Sequence, residues 1–147
     1  MSEHKATITW KRATESFSYE AYNRDHLWIF DGGIQLAASA SPAYQGNPLN
    51  VDPEEAFVAA LSSCHMLTFL ALASRKRFIV DSYNDDAVGF LEKNDQGKLA
   101  ITRAILRPKI SFSGPTVPTA EQLTDLHHRS HQECFIANSV KTDIAVE

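Results

Sequence analysis

The longest uncharged segment of the chain gives the clearest structural signal in the sequence. Residues 56–74 contain no charged side chain, and three basic residues follow them directly. Asp52 and Glu55 are spaced as a capping box, with Pro53 at the first helical position. Acidic residues at the start and basic residues at the end also suit the helix dipole. The pattern predicts a helix over 53–75 that is apolar on almost all sides and therefore lies in the centre of the fold.

Before this helix, the alternation of apolar and polar positions predicts β-strands. Residues 5–11 and 34–38 alternate in this way, and residues 16–30 are rich in aromatic and polar alternation. Residues 39–50 have the composition of a loop, with proline, glycine, serine and asparagine. The sequence therefore predicts a group of N-terminal strands that ends in a loop.

After the helix, the pattern predicts two long strands, a second helix and a closing strand. Residues 78–92 and 98–113 are expected to pair as a hairpin across a turn of asparagine, aspartate and glycine. A second capping box begins the second helix at Thr119, and residues 140–146 alternate again. This order predicts an α+β fold in a single domain, 1–147.

Composition and charge narrow the function classes. Of the 147 residues, 44% are hydrophobic and 22% are charged, which is typical of a globular domain rather than a disordered chain. The net charge is −4 and the basic residues are dispersed, so we expect no nucleic-acid partner. The N-terminus has no apolar run, and residues 56–74 contain serines and a histidine. We therefore expect a cytoplasmic protein without a membrane partner, whose apolar helix is a core helix.

The two cysteines, Cys64 and Cys134, are the first candidates for chemistry. They are too few for the disulfide framework of a small secreted protein. One interpretation is two buried small hydrophobic residues, which is common for free cysteine. The other is a thiol–disulfide pair, which requires a stabilised thiolate and a second thiol whose Cα lies within about 7 Å.

The histidines offer a different interpretation of the same region. His127, His131 and Cys134 are spaced by four and three residues, so they share one face of the second helix. Two imidazoles and a thiolate can bind zinc, with His65 as a candidate fourth ligand. The plain alternative is a set of polar, partly exposed histidines on a surface helix.

Glu54 lies ten residues before Cys64 on the same predicted helix. That spacing corresponds to a rise of about 15 Å and a rotation of roughly 80° between the two side chains. Glu54 therefore cannot touch the Cys64 sulfur of its own helix. Any influence on the thiol needs a bridging residue or a second subunit.

The segment 51–74, VDPEEAFVAALSSCHMLTFLALAS, resembles the central helix of the OsmC/Ohr family, the osmotically inducible and organic hydroperoxide resistance proteins. That family has a glutamate ten residues before a cysteine, and a second cysteine on the last helix before a closing strand. The resemblance implies an OsmC-like fold, with antiparallel sheets around a long central apolar helix in an intertwined homodimer. It also implies a peroxiredoxin-like reductase of organic hydroperoxides, with its sites at the subunit interface.

The resemblance also implies roles for individual residues. Cys64 is then the peroxidatic thiolate and Cys134 the resolving thiol. Glu54 pairs with an arginine that holds the thiolate, and Arg24 is the candidate, with Arg12 as the alternative. No metal or bound cofactor is implied; an external dithiol, such as a lipoyl protein, acts as reductant.

Two departures from the family pattern indicate an OsmC-like subgroup. Family members usually have proline after the second cysteine, whereas Phe135 follows Cys134 here. His65 follows Cys64, where an apolar or aromatic residue is common, and it points about 100° away from the cysteine around the helix. The missing proline motivates a second hypothesis, a non-catalytic protein that binds a hydrophobic small molecule in the dimer-interface pocket.

Overall fold

The computed structural model describes all 147 residues, which form two compact units, 1–56 and 57–147. Each unit has its own strands, and the long helix begins near the end of the first unit. The prediction of one domain over the whole chain stays a prediction.

The N-terminal unit contains one antiparallel sheet of three strands in the order β1-β2-β3. Its strands are β1 (Ala6–Thr9), β2 (His26–Phe30) and β3 (Gln35–Ala38). A short 3-10 helix, Pro42–Tyr44, lies in the loop that follows them. The strands predicted around 5–11 and 34–38 are thus confirmed, somewhat shortened, as is the loop after them.

The strand predicted over 16–30 is wrong for its first ten residues. Residues 16–25 form turns and irregular backbone, and only β2 is extended. The side chain of Asn23 accepts from the Ala13 N–H at 2.8 Å and donates to the Lys11 carbonyl at 2.9 Å. These bonds close a loop, so the aromatic residues of the segment pack together instead of alternating across a sheet.

The long helix α1 runs over Pro53–Arg75, as the sequence predicts. Its capping box is complete: the Glu55 N–H donates to Asp52 Oδ1 at 2.8 Å, and the Asp52 N–H donates to Glu55 Oε2 at 3.2 Å. Local hydrogen bonding therefore fixes the start of the helix, independently of what packs against it.

The expectation that α1 is enclosed on all sides is wrong for the single chain. Only one face is buried, formed by Leu61, His65, Phe69, Leu72 and Ala73. On the opposite face Leu67 keeps 59% of its surface exposed. This helix is long and apolar enough to cross a membrane by length and composition alone, but core helices of soluble proteins pass the same test.

The prediction of a single hairpin after α1 is wrong, because four strands form two separate antiparallel pairs. The strands β4 (Ile79–Asp85), β5 (Val88–Lys93), β6 (Leu99–Leu106) and β7 (Pro108–Ser113) pair as β4 with β7 and β5 with β6. The Asp85 carboxylate accepts the Arg107 N–H at 2.6 Å where one ladder gives way to the other. This contact lies where each of the two predicted long strands is divided, between β4 and β5 and between β6 and β7.

The second helix and the closing strand are confirmed. Helix α2 spans Ala120–Glu133, with Thr119 and Gln122 forming the expected capping box. Strand β8 (Asp143–Val146) pairs parallel to β6, so the strands are not all antiparallel as expected. The hydrophobic core of the C-terminal unit is formed by Phe78 and by side chains of the two helices, Phe69, Leu72, Ala73 and Leu126.

Candidate active site

The C-terminal unit brings the two cysteines together. Cys64 lies midway along α1 and is half-buried, whereas Cys134 ends α2 and is only 1% exposed. Both are free thiols and they are neighbours, since the Cys64 side chain is among the groups that raise the pKa of the Cys134 thiol. Two neighbouring thiols can form a disulfide when their Cα atoms lie within about 7 Å of each other.

The surroundings of Cys134 favour its protonated form. Burial is the largest cause that raises the pKa of its thiol, and the contact with Cys64 raises it further. Hydrogen bonding from the backbone N–H groups of Ala137, at 3.4 Å, and Ile136 opposes this only in part. Since the thiolate is the nucleophile, the more exposed Cys64 is the better placed of the two for a first attack on a substrate.

Asn138 holds the turn that carries Cys134. Its side-chain amide donates to the carbonyl oxygens of Gln132 at 2.8 Å and Cys134 at 3.0 Å. Its backbone N–H also donates to the Cys134 carbonyl, at 3.0 Å. These bonds satisfy carbonyl groups at the end of α2, which otherwise lack partners, and they fix the backbone of the cysteine.

We expect Asn138→Ala to loosen this turn. The loss of two side-chain hydrogen bonds at a largely exposed site should lower the free energy of unfolding by about 1 kcal/mol. The Cys134 thiol should also react faster with a neutral alkylating agent, which mass spectrometry of the labelled peptide can follow. Gln132→Ala is the matched control, because only the backbone of Gln132 takes part in these bonds. Equal labelling rates in both variants would contradict this role.

An open apolar groove lies beside Cys64 on the surface of the C-terminal unit. Its volume is about 750 Å³. The exposed face of α1 forms one side with Leu67 and Ala71, and Phe135 and Ile136 after α2 form the other. Phe135 is 83% exposed, which is unusual for a large apolar side chain. The groove can accept an apolar group next to the thiol.

Arg24 occupies an aromatic pocket of the N-terminal unit. Its guanidinium donates to the carbonyl oxygens of Tyr19 and Tyr22 and lies 3.6 Å from the centroid of the Tyr22 ring. Arg24 and Tyr22, together with Trp10 and Phe17, line a cavity of about 390 Å³. The arginine is thus held by its own loop, through hydrogen bonds and a cation–π contact.

The expected pairing of Glu54 with an arginine is not formed within the chain. None of its five ion pairs includes Glu54, Arg24 or Arg12. Arg12 instead donates to the carbonyl oxygens of Thr14 and Glu15. Glu54 lies in the first turn of α1. The roles of these residues stay predictions.

The zinc site considered on His127, His131 and Cys134 does not form. The chain contains no group of three or more histidine, cysteine or acidic side chains that could hold a metal ion. Instead, His127 Nδ1 and His65 Nε2 share a hydrogen bond of 3.0 Å, and the planes of the two rings are nearly parallel. His65 is 1% exposed, and burial is the main cause that lowers its pKa to about 4.

Comparison with known proteins decides the family. Residues 46–147 match the family model described as OsmC-like protein. The chain belongs to this family. A solved OsmC-like protein of unknown function from Vibrio cholerae O1 biovar eltor is 53% identical, with a TM-score of 0.97 over 100% of this chain and 99% of that one. No curated protein matches the chain.

More distant OsmC-like structures share the fold. An organic hydroperoxide resistance protein from Elizabethkingia anophelis, solved with thiocyanate bound, is 19% identical, with a TM-score of 0.73 over 100% of this chain and 96% of that one. An organic hydroperoxide resistance protein OsmC from Legionella pneumophila is 16% identical, with a TM-score of 0.68 over 100% of this chain and 98% of that one. The family thus includes hydroperoxide resistance proteins.

Two parts of the site were missed by reasoning from the sequence of this OsmC-like chain. His65 was left without a partner, although its position among the buried apolar residues of α1 is a signal for an internal hydrogen bond. Asn138 stands four residues after Cys134, and asparagine side chains often hydrogen-bond to nearby backbone groups of this kind. The Asn138 contact is therefore local, whereas the His65–His127 contact joins residues 62 positions apart, which no spacing along the chain brings together.

Proposed function

We propose that this protein is a thiol-dependent peroxidase that reduces organic hydroperoxides through a Cys64 sulfenic acid and a Cys64–Cys134 disulfide. The observation that carries the proposal is the proximity of Cys64, a half-buried thiol that lines an apolar groove, to the buried thiol of Cys134. Membership of a family that includes hydroperoxide resistance proteins supports it.

The chemistry proceeds in two balanced steps. The Cys64 thiolate attacks the outer peroxide oxygen, the O–O bond breaks, and the leaving alkoxide takes a proton to become an alcohol. Cys64 is thereby oxidised to a sulfenic acid. The Cys134 sulfur then attacks the Cys64 sulfur, a disulfide forms, and the hydroxyl leaves with the Cys134 proton as water.

The disulfide is returned to two thiols by an external dithiol. Exchange through a mixed disulfide oxidises that dithiol and needs no metal or bound cofactor. A lipoyl protein is the reductant class we propose. A cytoplasmic location fits this cycle, because the cytosol keeps such thiols reduced.

The groove beside Cys64 supports an organic substrate. Leu67, Ala71, Phe135 and Ile136 offer apolar contacts to the carbon chain of a hydroperoxide, which hydrogen peroxide lacks. The expected consequence is a lower KM for an alkyl or aryl hydroperoxide than for hydrogen peroxide.

Glu54 and Arg24 enter the proposal through the family resemblance. A guanidinium stays charged at neutral pH, so it can stabilise a thiolate and orient the peroxide. For this, Arg24 must leave the carbonyl oxygens of its own loop, with Glu54 as its new partner. We propose that a homodimer assembles this arrangement, and the exposed apolar face of α1 is the surface available for it.

Replacing the resolving thiol separates the two steps. In Cys134→Ser we expect Cys64 to react once with an organic hydroperoxide and to gain the mass of one oxygen. No disulfide can follow, so steady-state turnover with a dithiol should fall at least about tenfold. Intact-mass spectrometry and a peroxide-consumption assay measure the two effects. Unchanged turnover would contradict the resolving role.

The second candidate is a non-catalytic protein that binds a hydrophobic small molecule. The exposure of Phe135 at the rim of the groove favours it, as does the missing proline after Cys134. In that case Cys64 merely lines the groove and neither thiol reacts. The two functions are distinguished by peroxide treatment: a binding protein keeps both thiols free and still shows saturable binding of an apolar ligand.

A further inference from the structure

A pair of buried histidines links the helices that carry the two cysteines. His65 projects from α1 and His127 from α2, with 3.0 Å between Nε2 of the first and Nδ1 of the second. The rings are 5.3 Å apart and nearly parallel, and the Phe69 ring stacks on His127 at 4.7 Å. Neither histidine has a part in the proposed peroxide chemistry.

The contacts between α1 and α2 occur in opposite order along the two helices. Lys76 pairs with Asp125, His65 with His127, and Cys64 with Cys134. His65 follows Cys64 directly. His127 and Cys134 are two turns apart, so they lie on nearly the same side of α2, about 10 Å from each other. The imidazole and thiol pairs thus start from adjacent residues of α1 and reach α2 two turns apart.

The other contacts between α1 and α2 do not fix the position of one helix along the other. Leu126 belongs to the same apolar core as Phe69 and Leu72, but apolar packing is not directional. The Lys76–Asp125 ion pair is partly exposed and lies just after the end of α1. A buried hydrogen bond between two planar rings fixes both distance and orientation. The rigid proline that the family usually has after the second cysteine is absent here.

We infer that the His65–His127 hydrogen bond is a positioning contact that keeps Cys134 of α2 within disulfide-bonding reach of Cys64 of α1. The inference rests on the proposed function, since it gives the histidines a role in the resolving step of that reaction. It makes both histidines positioning residues of this chain, with the effect transmitted through the helices.

Equilibration with glutathione redox buffers tests this without any peroxide. Two protein thiols and one glutathione disulfide give one protein disulfide and two glutathione thiols. Mass spectrometry and thiol counting then give the equilibrium constant. His65→Leu removes the hydrogen bond at similar side-chain volume, and we expect the constant to fall about tenfold, which is about 30 mV in reduction potential. His65→Gln can still hydrogen-bond to His127 and should stay within about threefold of the unmodified protein.

A second variant and a destabilised control make the test specific. His127→Leu should shift the equilibrium as His65→Leu does, and the double variant should show no further loss. Should His65→Leu fail to fold, His127→Leu supplies the same comparison. Leu123→Ala shortens a side chain that packs on the core and takes no part in the hydrogen bond of the histidine pair, so it should lower stability but leave the equilibrium unchanged.

The outcomes separate this inference from the proposed function. A disulfide equilibrium unshifted in His65→Leu and His127→Leu, or shifted equally in Leu123→Ala, overturns the positioning role and leaves the peroxidase proposal standing. A protein that forms no Cys64–Cys134 disulfide under any buffer overturns both.

Discussion

Cys64→Ser should abolish the consumption of organic hydroperoxides. A serine hydroxyl at this site is not ionised at neutral pH and is a far weaker nucleophile than a thiolate. We expect the rate with an alkyl hydroperoxide and a dithiol to fall at least ~10³-fold, because the first step depends on this sulfur. The fold should be retained, since serine is slightly smaller and the site is half-buried.

The measurement is steady-state consumption of cumene or tert-butyl hydroperoxide, with the thermal unfolding midpoint as a check on folding. Ser74→Ala is the matched control on the same helix. The Ser74 hydroxyl donates only to the Ala71 carbonyl, and the residue is exposed. Full activity in the control and activity above a hundredth of normal in Cys64→Ser would remove Cys64 from its proposed role.

The second large effect is a loss of stability in mild acid that originates at His65. This side chain is buried, and its pKa is lowered from 6.5 to about 4. Burial is the main cause, the neighbouring His127 and His131 add to it, and Asp85 opposes it. Burial lowers the pKa of His127 as well. The native state thus binds these protons more weakly than the unfolded chain does.

The sign follows from proton linkage. Between pH 6.5 and 4 the unfolded chain is protonated at His65 and the native protein is not, so acid favours unfolding. From His65 alone, the free energy of unfolding should fall by about 3 kcal/mol over this interval. The stability that His65 contributes should be retained in full above pH 6.5, where the histidine is uncharged in both states.

Urea unfolding at a series of pH values measures this effect. In His65→Leu the loss between pH 6.5 and 4 should shrink by about 2–3 kcal/mol relative to the unmodified protein. His128→Gln is the control, since His128 is exposed on α2 and should leave the pH profile as it is. Parallel pH profiles for all three proteins would contradict the account of His65.

Elements governed by local chemistry could be predicted from the sequence. The capping boxes that begin at Asp52 and Thr119 place the starts of α1 and α2 correctly, because their partners are three residues away. The ten-residue spacing of Glu54 and Cys64 is likewise a pattern within one short segment, and it pointed to the family. Patterns of this kind can be recognised in the sequence because all of their residues lie in one short segment.

Pairings between distant segments could not be predicted in this way. Alternation indicates a strand but not its partner. The sequence therefore could not show that β4 pairs with β7 and β5 with β6, in place of one long hairpin. The aromatic residues between 16 and 25 suggested a strand, but they pack into a loop around Arg24. The hydrogen bond of His65 with His127 joins residues 62 positions apart. Only the folded chain shows such contacts.

The most direct test of the central claim is a short pulse of an organic hydroperoxide on the reduced protein, followed by intact mass and a free-thiol count. We predict the loss of two thiols and of two mass units, reached faster with the organic hydroperoxide than with hydrogen peroxide at equal concentration. This result would show that Cys64 and Cys134 form a working redox pair. Two thiols that remain free and a mass that does not change would contradict the peroxidase proposal and favour the binding protein.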